Sequence, residues 1–155
     1  MNTLAMAKAY ISDARRSFEE AKQNYESQIY HRCVRRCQEC VELALKGILR
    51  LFSVEYPKKH DVSEALDQIK HIPAAPDWLK SEVDRFKRIS LTLALMRGPA
   101  FYGDERSFIP PEKLYGKKDA LEALEMAMDV LKAAEKLLTT YTDAHQNWND
   151  PDKVG

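Results

Sequence analysis

The chain has 155 residues, a length typical of one domain with a substantial core of its own. Its 24 basic and 24 acidic side chains balance, so the net formal charge is zero. The chain as a whole therefore has no electrostatic attraction for nucleic acid or an anionic membrane, and such binding needs a local charged patch. Only 5 glycines are present, and apolar residues recur at helical spacing almost throughout, which predicts an all-α fold.

The sequence shows no sign of export or of membrane insertion. No apolar run approaches the roughly 20 residues that span a bilayer, so we expect no contact with the membrane. The N-terminal segment lacks a basic stretch followed by an apolar one, which is the pattern of a signal peptide. The 3 cysteines lie on one predicted helix, where they cannot build a disulfide framework. A cytoplasmic location is predicted.

The first two predicted helices are joined by a very short connection and should pack as antiparallel neighbours. Helix one has Asn2 or Thr3 as its N-cap and runs to about Ser27. Helix two runs over about residues 29–52, and its small and apolar residues recur in steps of three and four on one face. They are Ile29, Cys33, Cys37, Cys40, Val41, Ala44, Ile48 and Leu51. Small residues let neighbouring helices approach closely, so helix two is predicted to be the central helix of a bundle.

The second half of the chain is predicted to complete this bundle. After a short third helix, helix four covers about residues 77–96 and helix five about residues 118–141. Residues 97–116 between them have no clear periodicity but are rich in aromatic side chains, so we expect a long loop packed over the bundle. The predicted architecture is an up-and-down bundle of four to five helices over residues 1–143, followed by a polar tail over residues 144–155.

Four segments, in this order and spacing, resemble the HEPN family of small all-helical domains. They are Glu42-Leu43-Ala44-Leu45-Lys46, Lys59-His60-Asp61, Arg97 with Pro99-Ala100-Phe101-Tyr102-Gly103-Asp104, and Tyr115-x3-Asp119-Ala120-x2-Ala123-Leu124-x2-Ala127. The resemblance implies a four- to five-helix bundle that is often a homodimer. Because many members are encoded with a minimal nucleotidyltransferase in toxin–antitoxin pairs, it also implies such a protein as a partner.

In the ribonuclease branch of that family, catalysis rests on an arginine, four to six intervening residues and a histidine. This chain departs from that pattern. His31 and His145 have no arginine at the required spacing. Arg50 lies too far before His60, and no arginine fits His71. We therefore predict no intrinsic metal-independent cleavage of RNA, and we favour a protein that is not an enzyme.

The three cysteines have two interpretations. Cys33, Cys37 and Cys40 share a helix face with His31 nearby, so they could hold a metal ion. Structural zinc sites, however, usually take paired cysteines from turns, and the chain has no second ligand pair. We interpret the thiols as small buried core residues. No glycine-rich phosphate loop or nucleophile–base arrangement stands out, and we predict neither a metal nor a cofactor.

Helix two also carries a basic strip, whose members are Arg32, Arg35, Arg36, Lys46 and Arg50. Guanidinium groups suit phosphate, which they bind with bidentate geometry. Arg32 and Arg36 are our candidate ligand-binding residues in this strip. The alternative is a solvated face that is neutralised by Glu39, Glu42 and the acidic residues of helix one.

The start of the long loop combines a cation, rings and a carboxylate. Arg97, Phe101, Tyr102 and Asp104 could together hold the phosphate, base and ribose of a nucleotide. Alternatively, Asp104 bonds Arg97 or loop amides while the two rings fill the end of the bundle. His60 joins the candidate site through the family pattern, and its simplest interpretation is as part of a loop and helix cap.

Three functions follow from these observations. The first is a dimeric, non-catalytic HEPN-type module that binds a nucleotide, RNA or a nucleotidyltransferase partner in a system of the toxin–antitoxin kind. The second is an RNA-cleaving toxin with a degenerate site, which would need a base within reach of the scissile group. The third is a plain scaffold whose only activity is self-association.

Overall fold

A computed structural model describes residues 3–148 and, within them, the side chains as far as residue 143. The α-helices are α1 (Thr3–Glu26), α2 (Tyr30–Leu51), α3 (Ser63–Leu66), α4 (Asp77–Tyr102), α5 (Pro111–Leu114) and α6 (Lys117–Trp148), and a short 3-10 helix lies at Asp67–His71. Within the described residues there is no β-strand, only an isolated antiparallel pairing of Asp104 with Ile109. The all-α bundle predicted from the sequence is confirmed.

Helix α2 is the central helix, as the sequence predicted. Helices α1, α4 and α6 all pack against it, whereas α4 and α6 contact each other little. The residues that α2 buries recur at the predicted spacing of three and four, and Leu45 and Leu49 bury a second side of the helix. Because α2 is buried on more than one side, the few polar residues that it carries inward must find partners inside the bundle.

Gly47 lets α1 and α2 cross closely. A Cβ atom at this position would lie 2.6 Å from Cγ1 of Ile11 and 3.4 Å from the carbonyl oxygen of Ala7. The side chain of Ile11 therefore occupies the space that any larger residue at position 47 would need. This contact fixes the amino end of α1 against the carboxyl end of α2.

Helix α4 is longer than predicted. The Gly98-Pro99 pair suggested that the helix ends near Met96, but α4 continues to Tyr102 with Pro99 inside it. A proline removes one intrahelical hydrogen bond, to the carbonyl group four residues earlier. That carbonyl group belongs to Leu95, whose side chain faces solvent, while Ala100 beyond the proline is fully buried. Packing of this last turn on the bundle thus maintains the helix past the proline.

The connection before the last helix is consequently shorter and more ordered than a loop over residues 97–116. A tight loop spans residues 103–110, followed by α5 and then α6. Helix α6 also continues past its predicted end at Tyr141 to Trp148, so helical structure reaches into the predicted tail. The rest of that tail lies outside the described residues. Neither α6 nor any other helix within residues 3–148 combines the length and apolarity needed to cross a bilayer.

The three cysteine side chains are core residues, as interpreted from the sequence. Cys33, Cys37 and Cys40 are free thiols, and all are fully buried. A hydrogen bond with Cys33, together with burial, raises the pKa of Cys37 well above its usual range. Burial raises the pKa of Cys40 to about 12. Thiols in this state are poor nucleophiles because only the thiolate reacts.

We expect the native protein to react very slowly with a thiol reagent. At pH 8, a thiol with a pKa of about 12 is ionised in roughly one molecule in 10,000, and the bundle also blocks access to it. Titration with a chromogenic disulfide should reveal the 3 thiols only after denaturant is added. A cysteine that is modified within seconds in the native protein would contradict this burial.

Candidate ligand site at the carboxyl end of α4

Phe101 lies beside two guanidinium groups at the carboxyl end of α4. The Cζ atom of Arg35, on α2, is 3.5 Å from the centroid of the Phe101 ring. The Cζ atom of Arg97, one turn earlier on α4, is 4.9 Å from the same centroid. Both distances lie within the range of cation–π attraction, about 6 Å. The structure therefore brings together the predicted pair Arg97 and Phe101 and adds Arg35, which the sequence interpretation left out of the site.

The cations in this cluster are not neutralised by ion pairs. In the part of the chain that the structure describes, no carboxylate lies within ion-pair distance of Arg32, Arg35 or Arg97. Burial, and then the charges of Arg32, Arg36 and Arg97, opposed by Glu39, lower the pKa of Arg35 below its usual value. Mutual repulsion among buried or half-buried cations favours any anion that binds between them.

Arg36 is placed differently from the other predicted arginine, Arg32. Its guanidinium group lies 3.1 Å from Glu20 of α1 and 2.8 Å from Glu39 on its own helix. The hydrogen bond from Arg36 to Glu39 raises the pKa of this arginine above its usual value. For Arg36, the structure thus agrees with the alternative interpretation of the basic strip, a face whose charges are neutralised by acidic residues. The exposed Arg32 stays available for a ligand.

His31 also belongs to this end of the bundle. Its pKa is lowered, mainly by burial and further by the charges of Arg32 and Arg35, while Glu112 of α5 partly offsets the effect. A lowered pKa keeps the imidazole neutral near pH 7, so that it can accept as well as donate a hydrogen bond. The ribonuclease spacing did not identify this residue, because the arginines near it, Arg32 and Arg35, follow it on its own helix instead of preceding it.

A partly buried chain of hydrogen bonds connects Arg97 with His60. Arg97 Nη1 donates to Gln38 Oε1 at 2.5 Å, and Gln38 Nε2 donates to Glu42 Oε1 at 3.0 Å. Glu42 also accepts a hydrogen bond from Lys46 Nζ at 3.0 Å and lies 2.6 Å from His60 Nδ1. Gln38 is only 2% exposed, so both ends of its amide are satisfied inside the protein. These hydrogen bonds fix the position of Arg97 through residues that do not reach the ring of Phe101.

Glu42 is the junction of this chain. Burial alone would raise the pKa of its carboxyl group, but the hydrogen bonds from Gln38, Lys46 and His60 outweigh burial and lower the pKa. Gln38, Glu42 and Lys46 follow one another at intervals of four, which places them on one side of α2. That spacing is visible in the sequence, whereas the approach of Arg97 and His60 depends on how other segments pack.

Tyr102 lies at the mouth of a cavity rather than in the arginine cluster. The cavity has a volume of about 600 Å³, and Pro99, Leu114 and Tyr115 line it together with Tyr102. Tyr102 is 69% exposed, and its ring centroid is 5.9 Å from that of Phe101. Since Phe101 already contacts two guanidinium groups, Tyr102 is the ring with a free face beside the cluster.

Asp104 stabilises its own loop. Its Oδ1 atom accepts hydrogen bonds from the backbone amides of Arg106 at 3.1 Å and Ser107 at 3.2 Å. Its backbone also pairs with Ile109. This arrangement matches the alternative in which the carboxylate bonds loop amides. Among the described residues, no group of three histidine, cysteine, aspartate or glutamate side chains is placed to hold a metal ion.

The sequence matches the HEPN domain family over residues 7–137, which is most of the chain. The chain belongs to the HEPN domain family. Two crystal structures share the HEPN fold described above. ST0689, an archaeal HEPN homologue, is 22% identical, with a TM-score of 0.64 over 85% of this chain and 97% of its own. TT1696 from Thermus thermophilus is 24% identical, with a TM-score of 0.66 over 88% of this chain and 98% of its own. Among curated proteins, no significant match was found.

Three of the four segments that carry the HEPN resemblance are connected by hydrogen bonds. Glu42 and Lys46 of the first segment meet His60 of the second, and Gln38 extends this contact to Arg97 of the third. The similarity to the two crystal structures is at the level of fold. What this HEPN domain binds must therefore be argued from its own side chains.

Proposed function

We propose that this HEPN domain is a non-catalytic module that binds the phosphate of a nucleotide or of RNA at Arg35 and Arg97. The supporting observation is that two guanidinium groups without a carboxylate partner in the described chain are held against one ring, Phe101. A phosphate bound to them would form charge-assisted hydrogen bonds. Tyr102 offers an exposed ring on which a base can stack, and Arg32 adds a third cation.

Because the net charge of the chain is zero, the affinity for phosphate should depend on this local cluster. Binding cannot come from a general electrostatic attraction, so affinity should depend on individual arginines. It should also weaken with added salt, because phosphate contacts release counterions. The partly buried hydrogen bond to Gln38 supports the proposal further, since it holds Arg97 in place before a ligand arrives.

The decisive experiment measures binding of ADP and of a short single-stranded RNA to three arginine variants. Arg97→Ala and Arg35→Ala should each weaken binding about 10- to 150-fold, the equivalent of one charge-assisted hydrogen bond of roughly 1.5–3 kcal/mol. Arg36→Ala is the matched control, because it removes the same charge from α2 at a residue already paired with Glu20 and Glu39. It should change affinity by less than about threefold.

Thermal unfolding of the same variants separates binding from stability. If Arg97→Ala unfolds the domain and no separate loss of affinity is measurable, the cluster is structural and the phosphate site is wrong. An equal loss in the Arg36→Ala control would show that any positive charge on α2 suffices. Specific recognition requires a large difference between Arg36→Ala and the other two variants.

One observation favours RNA cleavage as a second candidate. His31, which has a lowered pKa, lies near Arg35 at the same end of the bundle. A neutral imidazole beside a cation could serve as a base in RNA cleavage. Cleavage of the test RNA that disappears in His31→Ala, or on changing His60 or His71, would favour this toxin-like activity over simple binding.

We further propose that the protein is a homodimer and that its protein partner is a minimal nucleotidyltransferase. Exposed apolar side chains on the outer face of α4 support the homodimer, and the family membership supports the nucleotidyltransferase and a toxin–antitoxin context. A cytoplasmic location fits three free cysteines, since a reducing compartment keeps thiols unpaired. A chain that self-associates but binds neither probe would be the plain scaffold.

A further inference from the structure

Phe108 occupies a position that costs folding free energy. Its side chain is 91% exposed, and its φ is 55°, in the left-handed region that a bulky residue rarely adopts. Such a conformation costs on the order of 1–3 kcal/mol and usually serves a function. Since the ring buries almost nothing within its own chain, its large apolar surface is available for a contact outside that chain.

Four hydrogen bonds brace the loop that carries Phe108. Gly103 opens it with a φ of 75°, and Asp104 and Ile109 close it with two backbone hydrogen bonds of 2.9 and 3.0 Å. The Asp104 carboxylate accepts hydrogen bonds from two further loop amides. The ring is therefore presented on a preorganised support, which lowers the entropy lost when it binds.

A cavity suited to such a ring, which we call the socket, lies beside the first half of the same loop. The cavity of about 600 Å³ is lined by Pro99, Tyr102, Leu114 and Tyr115. The socket is open to solvent and has apolar and aromatic walls, so a phenylalanine ring of a second molecule can enter it and pack against them. The phenol of Tyr115 donates a hydrogen bond to the carbonyl oxygen of Met96, which anchors one wall.

An exposed apolar stripe leads to this cavity along α4. Leu91, Leu95 and Tyr102 lie at intervals that place them on one side of the helix, and each is exposed. Leu95 is 70% exposed. We call these residues, together with Phe108, the α4 face. Several large exposed apolar side chains on one side of a helix are a feature of protein–protein contacts.

We infer that Phe108 of each chain inserts into the Tyr102–Tyr115 cavity of a second copy across a two-fold axis. This interface rests on the proposal that the protein is a homodimer. A two-fold axis requires one surface to be complementary to itself, and the α4 face carries both the ring and its socket. Glu105 and Arg106 on the cavity rim have opposite charges and no ion-pair partner among the described residues, so each can pair with the other across the axis.

A photocrosslinking experiment on the full chain tests this interface. A p-benzoylphenylalanine at position 108 preserves the aromatic ring and reacts with whatever surrounds it. Mixing this protein with a ¹⁵N-labelled copy before irradiation distinguishes cross-links between chains from those within one chain. We expect covalent dimers whose cross-links map to residues 98–115 of the labelled copy. The same probe at Met6, which is exposed at the opposite end of the bundle, should give none.

Sedimentation of unlabelled variants provides the second measurement. Phe108→Ala should raise the dimer dissociation constant at least tenfold, while the melting temperature measured at concentrations where both proteins are monomeric stays nearly unchanged, because the ring is exposed in the single chain. Met6→Ala should change neither. A wild-type chain that sediments as a monomer overturns both the homodimer and this interface. A dimer that survives Phe108→Ala, or that cross-links from position 108 elsewhere or only within one chain, overturns the interface and leaves the homodimer intact.

Discussion

Gly103→Ala is expected to lower the free energy of unfolding by about 3 kcal/mol or more. The residue has φ 75° and ψ −159°, a conformation that is essentially limited to glycine. A Cβ atom would also lie 2.1 Å from the carbonyl oxygen of Ile109, a backbone atom that cannot move without breaking the loop. Urea unfolding gives the change in stability. Hydrogen exchange at the amides of Asp104 and Ile109 should accelerate, since these amides close the loop.

Gly98→Ala is the matched control on the same helix. Beyond the neighbouring residues of α4, nothing lies within 4 Å of a Cβ atom built at Gly98, which is inside α4 directly before Pro99. Alanine should therefore change the free energy of unfolding by less than about 1 kcal/mol, because its gain in helix propensity is opposed by contact of its Cβ atom with the ring of Pro99. If Gly103→Ala proves as stable as the wild type and keeps slow exchange at both amides, the tight loop at the end of α4 is wrong.

The fold was predictable because the apolar residues that form its core recur periodically along the sequence. Apolar side chains such as Ile11, Cys37, Phe86 and Leu131 recur every three or four residues along long helices, and all are buried. Each helix was therefore recognisable without knowing its neighbours. The small residues of α2 further indicated that it would be the central helix, since only a central helix needs neighbours on several sides.

The end of α4 was not predictable from local sequence. A glycine followed by a proline usually ends a helix, so Gly98-Pro99 predicts an end that the folded chain does not have. The stabilising factor is tertiary, because Ala100 packs in the core and Phe101 contacts Arg35 of α2. A pattern within α4 carries no information about these contacts.

The candidate site was predictable only in part, for the same reason. Arg97 and Phe101 are four residues apart on one helix, so their contact follows from helical geometry. Successive residues of α2 point in directions about 100° apart. Whether Arg35 or one of its neighbours Arg32 and Arg36 faces Phe101 therefore depends on how α2 is oriented against α4. A strip of basic residues shows that a charged face exists, and only packing shows which guanidinium reaches the ring.

The chain of hydrogen bonds through Gln38 and Glu42 shows a further limit to what can be predicted from the sequence. Glutamine and glutamate on a charged helix are usually solvated, and the sequence alone favours Glu42 as a residue that neutralises the basic strip. In the folded protein it links two segments that are distant in sequence, through Arg97 on α4 and His60 before α3. A buried junction of this kind contributes to stability only while every donor keeps its acceptor.

Glu42→Ala is therefore expected to lower the free energy of unfolding by about 3 kcal/mol at neutral pH. The Glu42 side chain is only 17% exposed, and its loss leaves Lys46 and Gln38 without their acceptor in a half-buried site. Glu39→Ala is the control, since it is the same substitution on the same helix and removes a partner of the more exposed Arg36. We expect Glu39→Ala to cost about 0.5 kcal/mol. Urea unfolding of both variants gives the comparison.

The pH dependence identifies the source of this stability. The folded-state pKa of Glu42 lies below the usual value of 4.5, so its carboxylate contributes fully above that value. The contribution is lost as the pH falls through the lowered folded-state pKa. The stability difference between wild type and Glu42→Ala should therefore be constant at neutral pH and shrink below about pH 4.5. A difference that stays the same down to the acid limit of folding would mean that the ionised carboxylate is not what holds Gln38, Lys46 and His60 together.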